Sequence, residues 1–166
     1  MRIGVWSPGL KTRGSVVPTR GSVLLLGILA WSCGSSVPPP VALDPLHDAC
    51  GSCRMIVSDA HFAAEIVSSS EPPVFFDDMG CVARYLAGHP SMPAGTVLYV
   101  ADHRTKAWVP ADLAVYTRVD ALTAPMGSHV VAHADAASRD QDPDVADGTP
   151  LTIAEVFPGG VPGGSR

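Results

Sequence analysis

An apolar run at residues 23–31 ends just before Cys33 and a proline-rich stretch, and this arrangement confines any folded domain to the chain beyond about residue 47. The run is too short to cross a bilayer comfortably. Arg2, Lys11, Arg13 and Arg20 precede it, so residues 1–32 have the layout of a secretory signal peptide. Leu29-Ala30-Trp31-Ser32-Cys33 is similar to a bacterial lipobox, in which the cysteine is lipidated and becomes the mature N-terminus. Ala30 stands where a larger aliphatic residue is usual. The expectation is an exported protein, lipid-anchored through Cys33 to the cell-envelope membrane and facing the periplasm or the cell exterior. Residues 33–47, with Pro38-Pro39-Pro40, carry no hydrophobic period and favour extended polyproline geometry, which predicts a stiff tether.

The remainder is long enough for one modest core or two very small ones. Four of the 11 basic residues and none of the 16 acidic ones lie before Cys33, so the exported part is acidic, with its few Lys and Arg scattered. That balance argues against nucleic acid as a partner.

Residues 62–67 and 74–76 are rich in β-branched and aromatic side chains and flank the turn-forming Ser68-Ser69-Ser70-Glu71-Pro72-Pro73, which predicts a hairpin. Met79, Val82, Ala83 and Leu86 then recur at helical spacing, with Asp77 or Asp78 as cap and Gly88 and Pro90 as the stop. A strand over 96–101 comes next. The second half repeats the pattern faintly, with strands at 108–110, 115–119 and 129–133, a short helix near 135–139 and a closing strand at 152–156. The prediction is an α+β domain over 48–157 made of two small units, about 48–104 and 105–157, before a disordered Gly- and Pro-rich tail at 158–166.

His47, Cys50, Cys53 and Met55 pack four potential ligands into nine residues. Thiolate and thioether are soft donors suited to copper(I), whereas a zinc ribbon needs a second cysteine pair and this chain offers only Cys81, about thirty residues on. Cys50 and Cys53 also suit a disulfide in an oxidising compartment, structural or redox-active. Cys81 and Met79 read as core packing. Met126, in the turn Ala124-Pro125-Met126-Gly127-Ser128, is either a second thioether ligand or a loop methionine covering apolar surface. His61, His89, His103, His129 and His133 read as ordinary surface or strand residues. Asp77-Asp78 fits helix capping better than a catalytic pair. No phosphate loop, nucleophile elbow or His-Glu-x-x-His element is present, so nothing speaks for an enzyme.

Taken in order, the lipobox-like leader, Cys50-Gly51-Ser52-Cys53-Arg54-Met55-Ile56-Val57, Phe62-Ala63-Ala64-Glu65, Phe76-Asp77-Asp78-Met79-Gly80-Cys81, Tyr99-Val100-Ala101-Asp102, Trp108-Val109-Pro110-Ala111 and Pro125-Met126-Gly127 resemble the NosL family over roughly residues 48–156. The resemblance implies a copper-binding accessory lipoprotein that delivers copper(I) for assembly of nitrous oxide reductase or a related exported copper enzyme. Its partners would be that recipient or its assembly transporter. It implies two ββαβ units in an organomercurial lyase-like architecture. It also implies copper ligation by Cys53 and Met55 and, from the Pro-Met-Gly element, by Met126, with Cys50 in second rank. The family often has Gly between its cysteine and methionine, where this chain has Arg54, and some members have Met at the position of Ser52. The alternatives are a thiol-disulfide or metal-reductase role for Cys50 and Cys53, or a structural module that they brace.

Overall fold

In the computed structural model residues 37–163 are described. The leader and Cys33, with the signal peptide and lipidation expected there, lie outside the described residues. The predicted hairpin forms from β1 (Ala64–Val67) and β2 (Val74–Phe76), followed by helix α1 (Met79–Gly88) and strand β3 (Val97–Ala101). Asp78 caps α1: its Oδ1 accepts from the Cys81 amide at 3.0 Å. The helix buries Met79, Cys81 and Val82, and Tyr85 meets Phe76 edge-on.

Strand β4 (Trp108–Pro110) does not open the second unit, as its place in the sequence pattern predicts. It pairs antiparallel with β3 instead, giving a sheet ordered β2-β1-β3-β4. The tight turn at 102–107 explains this: the Asp102 amide bonds to the Ala107 carbonyl, and Lys106 takes the left-handed φ of 64° that folds the chain back. The second sheet holds β5 (Val115–Arg118), β6 (Val130–His133) and β7 (Thr149–Leu151) in the order β6-β5-β7. Helix α2 (Ala136–Asp140) and a 3-10 turn (Pro143–Val145) lie between β6 and β7. Both sheets thus place their first strand between their second and third.

Residues 152–156 correct a further expectation. They are not a strand: Ile153–Val156 is a short helix, α3, and the strand sits just upstream as β7. Thr152 and Glu155 form a reciprocal capping box, which satisfies helix-end amides and outweighs the β preference of Thr, Ile and Val.

The two sheets share one core. Phe76, Met79, Leu98, Tyr116, Val130 and Phe157 belong to a single buried cluster, and the His103 amide bonds to the Ala132 carbonyl at 2.8 Å where the end of β3 meets β6. Every residue of β1 and β3 is buried, so the first sheet is covered on both faces. The second cover comes from the proline-rich stretch. The Pro38 carbonyl accepts from the Tyr99 hydroxyl at 2.8 Å, the Val41 amide donates to Glu65 at 2.9 Å, and Leu43 packs on the core. These residues form a strap rather than a free tether, because a polyproline ridge lacks amides but still presents carbonyls to a donor on the sheet. The tail also packs further than expected. Val161 lies against the core and the Leu98 amide points at the Pro162 carbonyl at 3.4 Å. No helix of the described residues is long and apolar enough to cross a membrane.

Candidate metal centre

The first pair of cysteines sits on a short antiparallel knuckle. Ala49 pairs with Ile56, the Val57 amide donates to the Asp48 carbonyl at 2.9 Å, and the Cys50 amide donates to the Met55 carbonyl at 2.8 Å. The chain reverses between them, with Arg54 at a φ of 68°, a conformation glycine adopts at little cost. Gly51 docks the knuckle on the first sheet. Its amide reaches the Phe75 carbonyl at 2.8 Å, and a Cβ there would meet Val74 Cγ1 at 2.4 Å. With the turn set this way, the amides of Ser52 and Cys53 both aim at Cys50 Sγ, at 3.4 and 3.5 Å.

Cys81 arrives from a separate element. Capping by Asp78 starts α1 so that residue 81 falls in its first turn on the buried side, and this sets its sulfur beside the knuckle. The Sγ atoms of Cys50, Cys53 and Cys81 lie within 4.8 Å of one another, and all three are free thiols. Cys50 and Cys81 are wholly buried, while Cys53 is partly exposed.

Burial pushes the Cys50 thiol up, but the amides of Cys53, Ser52 and Asp77 donate to its sulfur and hold it below the ordinary thiol value. Burial raises Cys53, and so does the neighbouring Cys50. Burial drives Cys81 well above the usual range, assisted by its contact with Cys50 and by the charges of Cys50, Cys53 and Asp78. Of the three sulfurs, Cys50 is thus the one that releases its proton most readily. Three thiols at this spacing form a soft donor set, which suits a soft cation.

Asp78 also ties in the Met126 loop. Its second oxygen accepts from the amides of Met126 and Ser128, at 3.2 and 3.1 Å, while the first caps Cys81. The Pro-Met-Gly turn, with Gly127 at a φ of 71°, is thereby joined to the helix turn that carries the third sulfur. Met126 is 36% exposed. Met55, just past the knuckle, is 56% exposed, and Ile56 beside it is open as well.

The structure thus gathers Cys50, Cys53 and Cys81, with Met55 on the knuckle and the Met126 loop joined through Asp78. Cys81, which reads in the sequence as plain core, is indeed buried, but as the third sulfur of the cluster. Spacing could not reveal this, since about thirty residues and two strands separate it from Cys53, and only the capping site fixes which face of α1 it occupies. Met79 is core, as expected, at 2% exposure. His47 lies at the surface, its Nδ1 paired with Asp44 at 2.8 Å. Two histidines that read as ordinary strand or surface residues, His103 and His133, are instead buried together against Asp142.

The model of the NosL family matches residues 40–157 of the chain. Among solved structures, the chain is similar to the crystal structure of the copper chaperone NosL from Shewanella denitrificans, at 18% identity and a TM-score of 0.56, over 72% of this chain and 98% of that one. At that identity the likeness speaks for the fold. No curated protein sequence matches the chain significantly.

Proposed function

The chain belongs to the NosL family, and on that premise we propose that it is a copper(I)-binding accessory protein without turnover of its own, which hands copper to a recipient exported copper enzyme. Nitrous oxide reductase, or the transporter that serves its assembly, is the recipient that the family suggests. The organomercurial lyase-like arrangement of the two units, lipid anchoring through Cys33 and a periplasmic or external location belong to the same proposal. They are supported by the order of elements and by the leader.

The observation that carries this reading is the cluster of three free sulfurs within 4.8 Å of one another. Cys53 and Met55 are the ligands that a partner can reach, Met126 adds a thioether from the loop held by Asp78, and Cys50 supplies a buried sulfur from below. A buried sulfur with exposed exchangeable donors suits transfer by stepwise ligand replacement, in which an incoming ligand binds before the outgoing one leaves. The same geometry counts against a thiol-disulfide exchange role. The thiol most readily ionised is Cys50, which is 0% exposed and out of reach of a substrate disulfide, whereas the more accessible Cys53 is the one held protonated.

Titration of the reduced apo-protein with copper(I) against a chromophoric chelator tests the assignment. One equivalent should bind, Cys53→Ser and Cys50→Ser should each weaken it by at least a hundredfold, and Met126→Leu by roughly tenfold. Cys81→Val keeps the bulk but removes the sulfur and separates ligation from packing. Undiminished binding by Cys53→Ser would overturn the reading.

A further inference from the structure

A second group of metal-ligating side chains lies at the other end of β6 from the Met126 loop. His133 is the last residue of β6, His103 lies just past β3, and Asp142 caps the 3-10 turn through its Oδ1, which accepts from the Asp144 amide at 3.0 Å. None of the three sulfurs lies on β6 (Val130–His133), and the two groups have no residue in common. The two clusters are therefore distinct.

His103 Nδ1 and His133 Nε2 both converge on the same oxygen, Asp142 Oδ2, at 2.7 and 3.0 Å. All three residues are buried, at 5%, 0% and 5% exposure. Hydrogen bonding alone leaves this group incomplete. Asp142 Oδ2 can accept from both imidazoles, but His133 Nδ1 is left buried with no partner. Thr117 Oγ1 is likewise buried and unpartnered, and Thr117 lines, with Asp142, a cavity of about 380 Å³ bordered by Arg139 and Gly148. Arg139 is engaged with Asp140, so it does not neutralise Asp142.

The surroundings hold the three side chains in place. The His103 amide is fixed on the Ala132 carbonyl, and its own carbonyl accepts from the His61 ring. Next to it, Asp102 is buried and receives the amides of Thr105 and Ala134 and the hydroxyl of Ser138. The segments that carry His103 and His133 are thus clamped to each other, through Ala132 and Ala134 on either side of His133.

We propose that His103, His133 and Asp142 form a second metal site, built for a borderline divalent ion such as zinc(II) and independent of the sulfur cluster. Two imidazole nitrogens and one carboxylate oxygen form a donor set harder than three sulfurs, which selects against copper(I) and suits a tetrahedral divalent ion. Bonds of about 2.0–2.1 Å to a tetrahedral ion set donor atoms roughly 3.3 Å apart, so the nitrogens need withdraw from Oδ2 by only a few tenths of an ångström. The cavity beside Asp142 and Thr117 has room for a water as fourth ligand. The ion would pin the ends of β3 and β6 to the 3-10 turn, bracing the second sheet.

Cobalt(II) titration of the full-length apo-protein tests this, because d–d bands report binding and thiolate-to-cobalt charge transfer reports sulfur. The expected result is one equivalent showing d–d bands without sulfur charge transfer, unchanged in Cys50→Ser/Cys53→Ser and weakened at least a hundredfold in His133→Phe and in Asp142→Asn. Zinc(II) should displace the cobalt and raise the melting temperature of the wild type. Failure of the wild-type protein to bind cobalt outside the sulfurs would overturn the proposal whether or not the variants fold. Wild-type cobalt affinity in His133→Phe and Asp142→Asn would overturn it as well. Both outcomes are independent of copper(I) binding at the cysteines.

Discussion

At the residue scale, the centre depends on how differently three thiols in one small volume ionise. Cys50 is as buried as Cys81, yet its value is lowered while that of Cys81 is raised. The difference lies in the donors: the amides of Cys53, Ser52 and Asp77 aim at the Cys50 sulfur, whereas Cys81 receives no amide and is itself a donor to Cys50 amid nearby negative charge. In the metal-free protein the thiolate ultraviolet absorbance that develops first as pH rises should therefore belong to Cys50. Cys50→Ser should remove it, whereas Cys81→Val should keep it but move it to higher pH, since the Cys81 thiol that donates to the Cys50 sulfur is gone. Arg54 adds a cost at this scale: its φ of 68° is strained for a residue carrying a Cβ and explains why glycine is frequent at the corresponding position of the family.

At the scale of elements, Asp78 joins α1 to the Met126 loop through one carboxylate with both oxygens in use. Asp78→Ala should cost about 2–3 kcal/mol in urea denaturation, the sum of a lost cap and of amides left without an acceptor. It should also weaken copper(I) binding, because Met126 is no longer held near Cys81. Asp78→Asn, which can still cap, should recover part of both. Much of this arrangement is legible in the residues. The hairpin, α1 with its acidic cap, and β3 can be read from alternation, helical spacing and punctuation by Gly and Pro. The knuckle can be read from Cys-x-x-Cys. What local pattern misses is pairing across distance. Trp108 to Pro110 read as a strand, but which sheet takes it is decided by a turn with a non-glycine residue at positive φ. The span 152–156 carries β-branched residues, yet a capping box makes most of it helical. Cys81 reaches the cluster because the Asp78 cap sets its face of α1, and His103 and His133 meet because the end of β3 docks on β6; no spacing rule encodes either.

At the scale of the whole molecule, the first sheet has one costly component, the carboxyl of Glu65 beneath the strap. Burial pushes it up to about 7, with the Val41 amide acting in the opposite sense. A carboxyl raised in the folded state binds a proton that the unfolded chain has already released. Its protonation therefore favours the fold below about pH 4.5, and that contribution is lost as pH rises through about 7. Glu65→Gln, neutral throughout, should melt higher than the wild type at pH 8 and show a flatter dependence of melting temperature on pH between 5 and 8. An unchanged melting temperature at both ends would mean that the strap already solvates the charge.

The same strap bears on how the proposed anchored protein meets its partners. Pro38 is already committed to Tyr99, and it lies five residues beyond Cys33. Five residues reach at most about 17 Å, less than the width of a domain this size. With Cys33 acylated, the protein would be on a short leash, unable to sweep the compartment or turn over freely. Delivery would then be a two-dimensional search, completed only by recipients that bring their own copper port down to the lipid surface.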